Sequence, residues 1–306
     1  MTQHNKSIGS RRASVLAVLG LFAAGAGASM QTIDPAAGFP EGPLWKDGRL
    51  LYVDYGGNTI REWNGETLRT VWTHAQCGPS GLIAWRGGHL LVACYDSNSL
   101  IELDQAYREV HTFDRDRRSR VFHGPNDFAA DGKGGVYFSA SGNRDAKGTI
   151  DGAVLYLSSA GVISEVATHI RHTNGLTLSM SGKSLLVADT LSAEILEMQI
   201  LQVGSLGAPA RWTRLAKLAA AKEPTAADAG PDGLKLGPDG NYYIAQNGAG
   251  RVLVVSPAKK LLRSIDVPTP FVTNIAFGAD GAQTLFITGV FNTQHLPYRG
   301  AVYKIF

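Results

Sequence analysis

The stretch Gly42-Pro43-Leu44-Trp45-Lys46-Asp47-Gly48-Arg49-Leu50-Leu51-Tyr52-Val53-Asp54 holds two short apolar runs joined across an Asp-Gly pair. Asp-Gly supplies the positive φ angles of a tight hairpin turn, and the flanking runs have the composition of strands. The unit returns five times. Gly81-Leu82-Ile83-Ala84 turns at Gly87-Gly88 into Leu90-Leu91-Val92-Ala93, and Asp127-Phe128-Ala129-Ala130 turns at Asp131-Gly132 into Gly135-Val136-Tyr137-Phe138. Gly175-Leu176-Thr177-Leu178 turns at Ser181-Gly182 into Ser184-Leu185-Leu186-Val187. Gly233-Leu234-Lys235-Leu236 turns at Asp239-Gly240 into Tyr242-Tyr243-Ile244-Ala245, and Asn274-Ile275-Ala276-Phe277 turns at Asp280-Gly281 into Thr284-Leu285-Phe286-Ile287.

Two further strands follow most copies, as in Thr59-Ile60-Arg61-Glu62-Trp63 and Leu68-Arg69-Thr70-Val71-Trp72. Four strands per unit, repeating every ~40 to 58 residues, are the signature of propeller blades. The expected fold is therefore all-β: a six-bladed β-propeller of four-stranded antiparallel blades around a central channel, spanning residues 29–306. The last unit ends with Gly300-Ala301-Val302-Tyr303-Lys304-Ile305 and lacks an outer strand, which Gln31-Thr32-Ile33 is expected to supply so that no edge stays open. The Ala-rich segment from Ala219 to Gly230 reads as a surface excursion with a helical turn.

The chain has 306 residues, 44% hydrophobic and 18% charged, enough for one large domain. Its formal charge of +3 comes from Lys6, Arg11 and Arg12; the remaining 26 basic residues balance 26 acidic ones. A neutral surface gives no electrostatic case for nucleic acid or an anionic membrane as partner. Arg11-Arg12 precedes an apolar stretch from Ala13 to Ala28 that ends in a small-x-small pattern, too short for a membrane span. Residues 1–28 read as a twin-arginine-like export signal, and the expected location is the periplasm or the exterior. In that setting Cys77 and Cys94 are compatible with a disulfide or with two buried thiols. Hairpin counting around Arg86-Gly87-Gly88 sets Ser80 opposite Cys94, with Cys77 three residues further on.

The residue before each first strand sits at the channel mouth. There the first, third, fourth and fifth blades carry Glu41, Asn126, Asn174 and Asp232, while the second and sixth carry Ser80 and, roughly, Asn274. An apolar strand needs no carboxylate or amide at its head, so four of them in one repeat register point to a shared ligand. Two carboxylates and two amide carbonyls form an oxygen-only cage of net charge about −2, suited to a hard divalent cation. One divalent ion is expected, calcium foremost, with zinc, magnesium, manganese and iron as alternatives.

The runs Glu41-Gly42-Pro43-Leu44-Trp45, Pro125-Asn126-Asp127, Asn174-Gly175-Leu176 and Pro231-Asp232-Gly233-Leu234 resemble the gluconolactonase/regucalcin (senescence-marker-protein) family, as do Leu186-Val187-Ala188-Asp189 and Leu285-Phe286-Ile287-Thr288. The resemblance covers residues 39 to 306. It implies a six-bladed propeller hydrolase in which Glu41, Asn126, Asn174 and Asp232 bind the metal and Asn126 also meets substrate. Two features depart from the family. Gly124 stands where regucalcin-like members carry an arginine, with His123 beside it as a substitute substrate contact. The third-blade substrate glutamate has no counterpart, only Asp145 and Asp151 nearby.

The expected activity is metal-dependent hydrolysis of a small sugar-type lactone to its aldonic acid, with Asp232 as general base or as ligand only. The rival readings are a metal-dependent phosphoesterase on the same cage, a non-catalytic periplasmic carbohydrate-binding propeller, and a condensing enzyme of the strictosidine-synthase type. His172 and Asn247 lie near the ligand loops, and Phe291, Asn292, Gln294 and His295 are candidates for the rim. The arginines at 115, 117, 118 and 120 read as a solvated loop.

Overall fold

A computed structural model describes Met1 and residues 29–142, 151–218 and 230–306. The leader and the Ala-rich segment up to residue 229 lie outside the described residues. Six antiparallel sheets form a closed ring, a six-bladed β-propeller. The innermost strands are Pro40–Lys46, Pro79–Ala84, Pro125–Ala130, Thr173–Leu178, Gly230–Leu236 and Phe271–Gly278. Each pairs with the strand that follows it across the hairpin foreseen from the sequence. In the first hairpin Asp47 and Gly48 have φ of 51° and 76°, as the tight turn requires. The fourth blade departs from four strands by a two-residue addition, Ser205–Leu206.

Second strands such as Arg49–Asp54 and Leu90–Cys94 read as nearly continuous apolar runs because both of their faces are covered. Leu51 and Val53 pack toward the second blade, while Leu50 and Tyr52 pack toward the sixth. Six apolar clusters result, one at each boundary between neighbouring blades. The core is thus a set of wedges around the channel.

The ring closes as expected. Met30–Ala37 pairs antiparallel with Arg299–Ile305 and completes the sixth blade. Asp34 on that strand accepts a hydrogen bond from the Tyr52 hydroxyl of the first blade. Cys77 and Cys94 form a disulfide, with Cα atoms 4.6 Å apart. The expected register is corrected by one residue: Pro79, not Ser80, pairs with Cys94, because a bulge inserts Ser80 between Pro79 and Gly81.

Deleting residues 1–37 should leave Arg299–Ile305 as an open edge. The expected outcome is an unfolding midpoint lower by about 10 °C or more and self-association, read by calorimetry and size-exclusion chromatography. An unchanged midpoint in a monomeric product would remove the closing role.

Candidate functional site

Bulges define the site. In all six innermost strands the ladder slips by one residue: between Glu41 and Leu44, Pro79 and Gly81, Pro125 and Phe128, Thr173 and Leu176, Pro231 and Leu234, and Val272 and Asn274. A bulge re-aims a side chain that would otherwise follow the pleat. Aligning the six ladders puts Glu41, Ser80, Asn126, Asn174, Asp232 and Thr273 in one register, all buried. The sixth-blade member is therefore Thr273. Asn274 falls one position later, level with Gly42, Gly81, Asp127, Gly175 and Gly233. Glycine there reflects crowding: a Cβ on Gly42 would stand 2.6 Å from Gly81 Cα, and one on Gly175 2.4 Å from the Asp232 carbonyl oxygen. The strands bearing the polar register thus approach backbone to backbone.

The four predicted donors are all buried. Burial drives the Glu41 carboxyl well above its ordinary range, and the neighbouring charges of Asp232 and Asp127 push it the same way. The Gly42 N–H donates to Glu41 Oε2 at 3.0 Å. Asn126 Nδ2 donates to Ser141 Oγ at 3.2 Å, which fixes the amide plane. Asn126 Oδ1 and Asn174 Oδ1 are buried and accept no hydrogen bond. A buried acceptor left unpaired costs about 1–3 kcal/mol, so two at one register, with two carboxylates, fit a cation. Asn247 Nδ2 donates to Asp232 Oδ2 at 2.8 Å and fixes that carboxylate's rotation. Among the described residues no three His, Cys, Asp or Glu side chains cluster as a metal site. A cation held at this register therefore takes half of its side-chain donors from amides, a set suited to calcium or another hard ion.

Four hydroxyls anchor these donors from the neighbouring blade. Thr273 donates to the Pro40 carbonyl at 2.8 Å, and Ser80 to the Pro125 carbonyl at 2.8 Å. Ser141 donates to the Thr173 carbonyl at 2.6 Å, and Thr190 to the Pro231 carbonyl at 2.7 Å. Each accepting residue immediately precedes Glu41, Asn126, Asn174 or Asp232. Sequence reasoning missed Ser141 and Thr190 in this role. Their signal is faint: a hydroxyl residue directly after a second strand.

His123 is exposed at the head of the third blade, its carbonyl accepting from the Gly142 N–H at 3.0 Å. His172 is buried before Thr173, and Asp151 packs against Gly142. Asp145 lies outside the described residues. Phe291 and Asn292 end the strand Gly281–Asn292 rather than lying on the loop after it, where Gln294 and His295 sit; Phe291 is exposed, and Asn292 donates to the His295 carbonyl. Tyr298 from the same loop meets Phe39, two residues before Glu41, with ring centroids 5.2 Å apart. The arginine-rich loop is solvated, with Arg120 paired to Asp116 and Glu165.

A closed six-bladed propeller with a mixed carboxylate and amide register at one mouth defines the class of protein. Within it, the chain belongs to the SMP-30/gluconolactonase/LRE-like family, whose model matches residues 39–291. Regucalcin of Xenopus laevis is 24% identical over 280 residues, covering 87% of this chain and 89% of that protein. The structure of a gluconolactonase from Xanthomonas campestris superposes with a TM-score of 0.73 at 21% identity, over 91% of this chain and 89% of that one. A calcium-binding regucalcin from Agrobacterium tumefaciens gives 0.74 at 16% identity, over 91% and 93%.

Thr273→Val keeps the shape but leaves the Pro40 carbonyl without its donor. Unfolding in urea should show a loss of about 1–3 kcal/mol. A change under about 0.3 kcal/mol would mean that the contact carries no energy.

Proposed function

We propose that this chain hydrolyses a sugar-type lactone at the Glu41, Asn126, Asn174 and Asp232 register, with one bound divalent cation, calcium foremost. The observation that carries the reading is the pair of buried, unbonded amide oxygens of Asn126 and Asn174, level with two carboxylates. Family membership supports lactone hydrolysis as the class of activity. The gluconolactonase and the calcium-binding regucalcin among the relatives support the substrate class and the ion.

Glu41, Asn126, Asn174 and Asp232 would hold a hard dication, which when bound would supply positive charge where the lactone carbonyl oxygen turns negative, an effect of several kcal/mol. Asp232 accepts a proton from the attacking water as the water oxygen bonds to the acyl carbon. The ring C–O bond then breaks, and Asp232 returns the proton to the departing alkoxide. The product is the open hydroxy acid, and Asp232 ends ionised as it began. Asn247 holds Asp232 Oδ2 and so orients the carboxylate through both transfers. Asn126 and the exposed His123, on the third-blade side of the mouth, contact the substrate's hydroxyl groups.

Acid release from a panel of aldonolactones, followed by pH-stat, should vanish with chelator and return with calcium. Sugar binding without turnover would favour a binding module, and turnover of phosphoesters alone a phosphoesterase. Calcium at a hundredfold excess over its Kd should add about 2.7 kcal/mol of stability. Asp232→Asn should lower kcat by about 10²-fold or more while calorimetry still detects cation binding. Full turnover in that variant would limit Asp232 to ligation.

We also propose export. The leader, residues 2–28, lies outside the described residues. The Cys77–Cys94 disulfide supports an oxidising compartment. A reporter fused behind residues 1–40 should reach the periplasm, and Arg11→Lys with Arg12→Lys should retain it in the cytosol. Continued export of the double variant would point to general secretion.

A further inference from the structure

Below the polar register, three side chains cross the channel and none is explained by donor chemistry alone. Asp127 and Asn274 occupy the position that is glycine in the other four blades. Asp127 is 1% exposed, and Lys235 Nζ, from the fifth blade, lies 2.8 Å from each of its carboxylate oxygens. Asn274 is fully buried; its Nδ2 donates to Asp127 Oδ2 at 3.3 Å and its Oδ1 accepts from the Ile275 N–H at 2.9 Å. The Asn274 amide also lies near enough to Glu41 to favour its ionised form. A Cβ on Gly233 would stand 2.3 Å from Asn274 Oδ1, so the fifth-blade glycine makes room for this crossing. Further along the inner strands the channel changes character. It opens into a cavity of about 370 Å³ lined by Leu44, Leu82, Phe128, Leu176 and Ile275, with Lys235 reaching in.

We propose that Asp127, Lys235 and Asn274 form a charged floor that positions Glu41 and sets the affinity of the register above for its cation. The inference rests on the reading that this register binds a divalent ion. The charges of Asp232 and Asp127 both act on Glu41, and the Lys235 ammonium, paired with Asp127, offsets one of these three carboxylates. The remaining two negative charges match one dication. Asn274 transmits the arrangement, tying Glu41 of the first blade to Asp127 of the third. These are positioning residues, since none is a proposed ligand or substrate contact.

Calcium titration by calorimetry on the full chain tests the floor without recourse to turnover. Asp127→Asn leaves the Lys235 charge unopposed, so the Kd for calcium should rise about tenfold or more. Lys235→Met removes the opposing charge and should bind at least as tightly as wild type. The double variant restores the charge count, and its Kd should return to within about threefold of wild type. A purely structural ion pair predicts no such recovery. If the wild-type chain binds neither calcium, manganese nor zinc, the metal reading itself falls. If it binds but Asp127→Asn matches it, or the double variant stays weak, the floor falls and the metal reading stands. Should Asp127→Asn fail to fold, a tenfold weakening in Lys235→Met overturns the proposal alone.

Discussion

The site depends on hydrogen bonds that run from one blade to the backbone of the next. Apolar wedges hold the blades together, but such packing is non-directional and tolerates small sliding. Donors on separate blades need a tighter constraint if they are to meet one ion at bonding distance. Ser80, Ser141, Thr190 and Thr273 provide it, each donating to the carbonyl of the residue before a donor. The source of each hydroxyl follows a rule. Where the preceding blade has no donor at the polar register, that vacant position supplies the hydroxyl, as with Ser80 and Thr273. Where the preceding blade already uses the position for Asn126 or Asn174, the hydroxyl comes from just after its second strand, as with Ser141 and Thr190.

This arrangement concentrates cost as well as order. Two buried amide oxygens lack donors, and burial together with Asp232 and Asp127 opposes ionisation of Glu41. A fold selected for stability alone would place apolar residues here, as at Leu44, Leu82, Phe128, Leu176, Leu234 and Ile275 further along the inner strands. The surrounding structure carries the cost because the bulges, the close glycine contacts and the hydroxyl anchors leave these side chains little freedom to relax.

The architecture was legible because second strands covered on both faces are largely apolar, and each hairpin turn carries a glycine in Asp-Gly, Gly-Gly or Ser-Gly. The polar register was legible for the converse reason, a carboxylate or amide at the head of an apolar strand. What escaped was the bulge. Hairpin counting assumes an unbroken ladder, so it set Ser80 opposite Cys94, one residue off, and the rough placing of Asn274 at the head of the sixth inner strand gives way to Thr273. Contacts made across the ring were hidden too. Lys235 alternates with apolar neighbours as a solvent-facing residue would, and only closure of the ring brings it to Asp127, more than a hundred residues away. The disulfide stayed open at the sequence level because spacing alone cannot orient two thiols.

The buried polar register and the rim of the mouth are built from different parts of the fold. The polar register, its anchors and its floor all lie on inner strands or directly beside them, where six blades constrain one another. The mouth is made of loops after second strands, which obey no such constraint. There Phe39, Tyr55 and Tyr298 form a partly exposed aromatic group over the first and sixth blades. On the third blade Gly124 packs against Tyr95, a Cβ there lying 2.9 Å from the ring. A larger residue at 124 would meet Tyr95, so glycine is the residue that this packing admits without a shift of the ring. The rim beside exposed His123 is thus set by a single packing contact, whereas the inner-strand register is held by hydrogen bonds from neighbouring blades.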